Sequence, residues 1–328
     1  MDSNKTIINW LYFCAFMVFA MAIIGAITRL TESGLSMVEW RPLLGAIPPL
    51  NEDEWQRVYE LYKQSPEFAK KHNWMELADF KKIFFWEWFH RLWGRAIGLA
   101  FTIPLIYFWV TKKIPEGYKL KLFGLFLLGG SQGVLGWVMV MSGLVENPNV
   151  SHFRLAAHLM LAMIILIALI WTALSIKSGQ PTKLCNAKLG AISLIALLTT
   201  ITWGAFTAGL DAGLIYNSFP LMNGSFFPPE SSADLSWWQM PLENQAWIQF
   251  THRWLAISTA LVILCYAWKQ KSITLPAFTF IQVGLGITTL LTQVHIHVAA
   301  THQAFAMILL IALIKTLHKE NTKSSYVQ

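Results

Sequence analysis

The chain has 328 residues, 55% of them hydrophobic and only 13% charged, with a net charge of +7. A soluble domain carries about 25% charged residues, so with a mean hydropathy of +0.46 the composition excludes an ordinary soluble protein. Nor does the positive charge mark a nucleic-acid binder, because the lysines fall in short loops and at the C-terminus, where they orient a membrane protein.

Crossing a bilayer takes roughly 20 apolar residues, and the sequence predicts an all-α integral membrane protein with about eight spans. The first, at about 7–28, is long for a signal-peptide core and lacks a convincing small-residue cleavage site. The connection after it, from Leu30 to Ile83, contains "PPLNEDEWQRVYELYKQSPEF". That stretch suits one or two short amphipathic helices forming an ordered outer cap. Trp40, Trp55 and Trp74 are expected to seat the cap on the membrane interface. The other spans are predicted at about 84–110, 119–141, 152–175, 188–209, 246–268, 274–294 and 299–317.

Alternate connections are basic: "TKKIPEGYKLK", "KSGQPTKLCNAK", "KQK" and the tail "KTLHKENTK". The opposite ones are "VENPNVSHF", the stretch from Asp211 to Asn244 without Lys or Arg, and "HIHVAA". The positive-inside rule then puts both termini of this multi-pass protein in the cytoplasm. Cys14 and Cys265 fall in spans and Cys185 in a basic loop, with no CxxC or CxxCH, so neither a zinc knuckle nor a covalently attached haem is indicated.

The chain also resembles itself. "FFWEWFHRLWGRAIG" near 84 matches "AWIQFTHRWLAISTA" near 246, and "SQGVLGWVMVMSGL" near 131 matches "IQVGLGITTLLTQV" near 281. "RLAAHLMLAMIILIALI" near 154 matches "VAATHQAFAMILLIALI" near 298, and "GAITRLTESGLSM" near 25 is a looser match for "GAFTAGLDAGLIY" near 204. The order is the same in both halves, so the reading is two tandem four-helix bundles, 1–180 and 181–328, related by a pseudo-twofold axis along the membrane normal.

Every even-numbered span carries a histidine one to two turns inside its outer end: His90, His158, His252 and His302. One imidazole in a span can be a packed core residue, but packing gives no reason to repeat so costly a residue four times. Two neutral imidazoles on facing helices are the ligand set of a bis-histidine haem. Zinc or copper fits less well, since cysteines and convergent carboxylates are missing. The repeat predicts one site from His90 with His158 and another from His252 with His302. Arg91, Arg95, Arg154 and Arg253 lie close by in sequence and are candidates for haem propionates; the alternative for each is a helix-end or headgroup contact. Gly133, Gly136, Gly284 and Gly286 suit close approach by a helix or a porphyrin.

The halves differ at one telling position. Glu87 lies one turn before His90, and the matching residue before His252 is Gln249. Only the first site carries a carboxylate, which suits chemistry needing a proton acceptor or cation stabiliser there and electron transfer at the other. The competing reading is a structural ion pair of Glu87 with Arg91 or Arg95. His295 and His297 form an HxH in the last outer loop, which reads as an ordinary exposed loop in preference to a metal site.

These residues resemble the haem A synthase family, in its Gram-negative and mitochondrial form, over nearly the whole chain. The most specific stretches are "TRLTESGLSMVEWRPLLGAIPPL", "FFWEWFHRLWGR", "SGLVENPNVSHFRLAAHL", "AGLDAGLIYNSFPLMNG", "QFTHR" and "THQAFA". The resemblance implies successive hydroxylations of the C8 methyl of haem O to a formyl group, supplying haem A to cytochrome oxidase. It implies haem b held by His252 and His302 in the C-terminal half, with Arg253 beside it. Substrate haem O would lie between His90 and His158, with Glu87 in the catalytic role and the sites toward the periplasmic side. Haem O synthase and an electron donor are its candidate partners, and a homo-oligomer is compatible with it. The family's other form has a cysteine pair in the first outer loop, absent here. Two further readings are a di-haem b electron carrier without porphyrin chemistry and a transporter on parallel repeats. The second would need matched helix breaks, which the isolated Pro104 and Pro276 do not supply.

Overall fold

A computed structural model describes residues 2–39, 44–144, 150–179, 187–228 and 235–324. Trp40, Lys183, Cys185 and the expected repeat boundary near Gln180 lie outside the described residues. The helices in chain order are α1 (Asp2–Leu30), α2 (Glu52–Lys63), α3 (Leu77–Val110), α4 (Lys119–Gly143), α5 (His152–Ser178), α6 (Lys188–Gly209), α7 (Met240–Glu243), α8 (Gln245–Gln270), α9 (Thr274–Leu291) and α10 (Ile296–Ser324). Among the described residues, eight of them, all but α2 and α7, are long and apolar enough to cross a membrane. The protein is an all-α, multi-pass membrane protein, as the composition requires. A helix satisfies its own backbone polar groups where no water can.

Several boundaries depart from the sequence expectation, α1 beginning at Asp2 among them, and three have a local reason in the packing or backbone. Helix α3 begins at Leu77 instead of 84, because Phe80, Ile83 and Phe84 bury themselves against Tyr59 and Tyr62 of the cap. Helix α10 runs past 317, since its C-terminal part is still packed: Leu317 is fully buried and His318 meets Ser175 Oγ at 3.2 Å. Helix α9 stops at Leu291, where Gln293 and Val294 turn to positive φ and Val294 N donates to the Thr289 carbonyl at 2.9 Å.

Helices α1 and α5 pack against α6 and α10 at the centre, with α3 and α4 flanking one side and α8 and α9 the other. The flanking helices turn large apolar side chains outward, among them Leu99, Ile103, Leu120, Leu127, Leu261 and Phe280, as lipid contact demands. Pro104 lies inside α3, which continues through it. A proline has no N–H for the carbonyl four residues earlier; that carbonyl, Ala100 O, accepts instead from Trp10 Nε1 at 2.9 Å. Pro276 sits in the first turn of α9, so neither proline breaks a span.

The repeat is visible in detail. Glu32 and Asp211, matched in the alignment, both take positive φ just after α1 and α6, and Lys112 and Lys271 do the same after α3 and α8. Polar contacts stitch the halves together. Gln303 Nε2 donates to the Ala22 carbonyl at 2.8 Å, and Arg29 reaches Asp211 at 2.9 Å.

Candidate functional site

Each histidine faces a glycine on the adjacent helix. A methyl group added at Gly25 would lie 3.4 Å from His90 Cε1, at Gly136 3.1 Å from His158 Cε1, at Gly204 3.1 Å from His252 Cε1, and at Gly286 2.9 Å from His302 Cε1. So α1 cradles the histidine of α3, α4 that of α5, α6 that of α8 and α9 that of α10. Gly136 and Gly286 do what the sequence suggested. Gly133 and Gly284 meet nothing within 4 Å and do not serve helix packing. Gly25 and Gly204 were missed, although both stand in the repeated segments that align.

The four imidazoles are half-buried. His90 and His158 lie within electrostatic reach of one another, as do His252 and His302. That proximity is compatible with the pairing read from the repeat. Among the described residues, His158 Nδ1 and His252 Nδ1 are buried without a hydrogen bond of normal geometry, and so are Arg253 Nε and the side-chain oxygens of Gln132 and Gln282. The Thr200 backbone carbonyl lies close to His252 and that of Gln282 close to His302, each short of a hydrogen bond of normal geometry. Paired imidazoles, glycine cradles and unmatched buried polar atoms fit a bis-histidine haem on each side. No cluster of three or more His, Cys, Asp or Glu residues that could hold a bare metal ion occurs among the described residues. His295 and His297 are both exposed.

The arginines do more for the protein than the sequence suggested. Arg91 donates to Glu87 Oε1 at 2.5 Å and to the Met37 carbonyl at 3.1 Å. Arg253 donates to the Tyr216 and Ser218 carbonyls at 2.8 and 2.9 Å and to Gln249 Oε1 at 3.2 Å. Met37 and Tyr216 are matched positions of the repeat, so both arginines pin the turn that follows the first helix of their half. Arg154 is exposed.

Glu87 is almost fully buried. Its Oε2 accepts from Ser36 Oγ and from Met37 N, each at 2.7 Å. The ion pair with Arg91 weighed from the sequence is present, and it sits one turn from His90. In the other half Gln249 Nε2 donates to the Tyr216 carbonyl at 3.1 Å. The same turn is held by an acceptor in one half and a donor in the other.

Above the first site sits the cap. Helix α2 starts on Asn51, whose side chain accepts from Glu54 N, and a single π-helical turn follows at Phe68–His72. Trp55 packs on Phe84 with centroids 5.0 Å apart and belongs to the cap's own core, contrary to the interfacial place expected for it, while Trp74 is 64% exposed. Tyr62 Oη lies 2.6 Å from His72 Nδ1 and donates to Glu67 Oε2 at 3.1 Å; His72 Nε2 lies 3.3 Å from Glu32 Oε2. Burial pushes the Glu67 carboxyl up to about 7, whereas the hydrogen bond from His72 holds Glu32 down at about 2. The repeat could not reveal this cluster, because the sequence matches between the halves do not extend into the cap.

The chain is similar to the heme A synthase of Rhodospirillum centenum, 48% identical over 96% of this chain and 88% of that protein. The heme A synthases of Parvibaculum lavamentivorans and Nitrosospira multiformis are 44% and 42% identical, over 97% and 96% of this chain and 95% and 94% of their own. The model of the cytochrome oxidase assembly protein family, COX15-CtaA, matches residues 8–314, and the chain belongs to that family.

Proposed function

We propose that the protein is a haem A synthase that oxidises the C8 methyl of haem O to a formyl group. The observation that carries this reading is the unequal pair of sites: matching histidine–glycine cradles in both halves, with a carboxylate beside one only. The N-terminal half, 1–180, takes haem O between His90 and His158. The C-terminal half, 181–328, holds haem b on His252 and His302, with Arg253 at its outer edge. When bound, haem b supplies a one-electron path. The basic inner connections favour cytoplasmic termini and sites toward the periplasmic side of an inner membrane. Haem O synthase as donor of the substrate, and a separate redox partner that exchanges electrons with the protein, are the partners this activity calls for.

Turning a methyl into a formyl group adds one oxygen atom; with water as its source, four electrons and four protons leave, the electrons passing to a redox partner and the protons to bases and solvent. Glu87 is the group of this chain placed to receive a proton. Arg91 and Met37 N can only donate, whereas the Ser36 hydroxyl can rotate from donor to acceptor. A proton is therefore accommodated at Oε2, facing Ser36 Oγ. Before that step the fixed carboxylate favours positive charge developing nearby, in a site where the surrounding dipoles need not reorganise. The substrate histidines orient the macrocycle, and the cap over α3 limits water. The test is the pigment profile of the purified protein. Haem b together with haem O, its hydroxylated form or haem A is expected; haem b alone would favour the electron carrier.

A further inference from the structure

Gln132 and Gln282 occupy the same position of the repeat, one turn before the glycines that cradle His158 and His302. They grip those histidines differently. Gln282 Nε2 lies 3.2 Å from His302 Nδ1, which leaves Nε2 of that ring open. Gln132 Nε2 lies 3.3 Å from His158 Nε2 and donates at 3.1 Å to the His158 carbonyl. The second bond locks the Gln132 amide with its NH2 toward the ring, since turning it would set two carbonyl oxygens against each other. The Gln282 amide has no such lock; its Oε1, like that of Gln132, is buried without a partner, and the Gln282 backbone carbonyl also lies close to the His302 ring. The side-chain amide can turn to accept from Nδ1–H, the proton an imidazole carries when its Nε2 is bound to a metal.

We propose that this glutamine pair sets the haem traffic of the two sites: Gln282 orients His302 for a resident haem, while Gln132 competes for His158 Nε2 and keeps the N-terminal site exchangeable. The inference deepens the proposed function and rests on its assignment of haem b to His252 and His302. An enzyme that takes in haem O and gives up its product needs one site that lets go and one that does not. Both glutamines are positioning residues, acting through the histidines.

The test uses the full-length protein in detergent, challenged with excess apomyoglobin as haem acceptor, with the remaining pigments extracted and identified. Outer partners of metal-bound histidines typically carry about 10- to 100-fold in metal affinity. Gln282→Leu is expected to lose haem b at least about tenfold faster and to raise its midpoint potential, because the imidazole becomes a poorer donor to ferric iron. Gln282→Glu keeps an acceptor and is expected to restore retention and lower the potential, which a merely space-filling role would not do. Gln132→Leu, or Gln132→Met should the first fold poorly, is expected to slow release of haem O and haem A about tenfold while leaving haem b unchanged. Unchanged retention and potential in Gln282→Leu, or unchanged or faster release in Gln132→Leu, would overturn the proposal. His302→Ala separates the two levels: if that variant keeps bis-histidine haem b, the site assignment itself fails; if it loses haem b while the glutamine variants behave as wild type, only the glutamine proposal fails.

Discussion

Replacing Glu87 by glutamine would, from the sequence, make the first site a copy of the second and remove only a charge. The structure makes a different prediction. Three donors converge on Glu87: the Ser36 hydroxyl, the Met37 amide and the Arg91 guanidinium. An amide offers one acceptor oxygen and turns its NH2 against a donor. Gln249 escapes this conflict because its NH2 meets the Tyr216 carbonyl. Breaking a buried ion pair costs about 3–5 kcal/mol. Arg91 keeps the Met37 carbonyl, so the lower end, about 3 kcal/mol, is the better figure. At 1.4 kcal/mol per tenfold, opening of the Ser33–Met37 turn becomes about 150-fold more frequent. Amide hydrogen exchange of the purified Glu87→Gln protein reads this directly at Met37, whose N–H donates to the carboxylate. Haem b should load normally, and haem A formation should fall on the order of 100-fold if the carboxylate also serves as base. Exchange at Met37 within about fivefold of wild type would refute the convergent-donor argument, whose 150-fold figure rests on the same conversion. Normal haem A synthesis would leave Glu87 a structural anchor.

Alanine at His252 or His302 should abolish the bis-histidine haem b spectrum; a full spectrum in both variants would remove the C-terminal assignment. Gly286→Ala brings a methyl to 2.9 Å from His302 Cε1, too close without displacing the ring, so haem b content should drop while the apoprotein still folds; unaltered haem b spectra would show that the cradle has slack. Reporter fusions after Lys113 and Lys271 should read cytoplasmic and one after Trp237 periplasmic, and the reverse pattern would move both sites to the inner face. The cap should loosen as pH rises. Glu67 has its folded-state pKa raised from 4.5 to about 7, so the folded cap holds the proton that the unfolded chain has lost. That contribution is fully present below about pH 4.5 and fades through about pH 7, by on the order of 3 kcal/mol. Glu32, lowered to about 2, acts oppositely and only below about pH 4.5. Limited proteolysis between Glu52 and His72 at pH 5 and pH 8 should show the difference and Glu67→Gln should erase it; equal rates in the wild type would reject the buried-carboxyl account.

Much of this protein is written in one dimension because lipid leaves few choices. A long apolar run must become a helix, since unpaired peptide groups are too costly in hydrocarbon. The eight spans and the four histidines are therefore legible, and the duplication by itself suggests pairing His90 with His158 and His252 with His302. The cradles of Gly25 and Gly204 were readable from the same alignment. What the sequence could not decide is which donor meets which acceptor across chain separations set by packing. That Ser36 and Met37 close on Glu87, that Gln132 takes one nitrogen of His158 while Gln282 takes the other of His302, and that Trp10 answers the carbonyl freed by Pro104 depend on how neighbouring helices rotate about their axes. Hydrophobic periodicity carries little of that information when a helix is apolar all round. The cap's Glu67–Tyr62–His72 group was hidden for a second reason: it belongs to a segment that the repeat does not match, so only the folded chain brings it to Glu32.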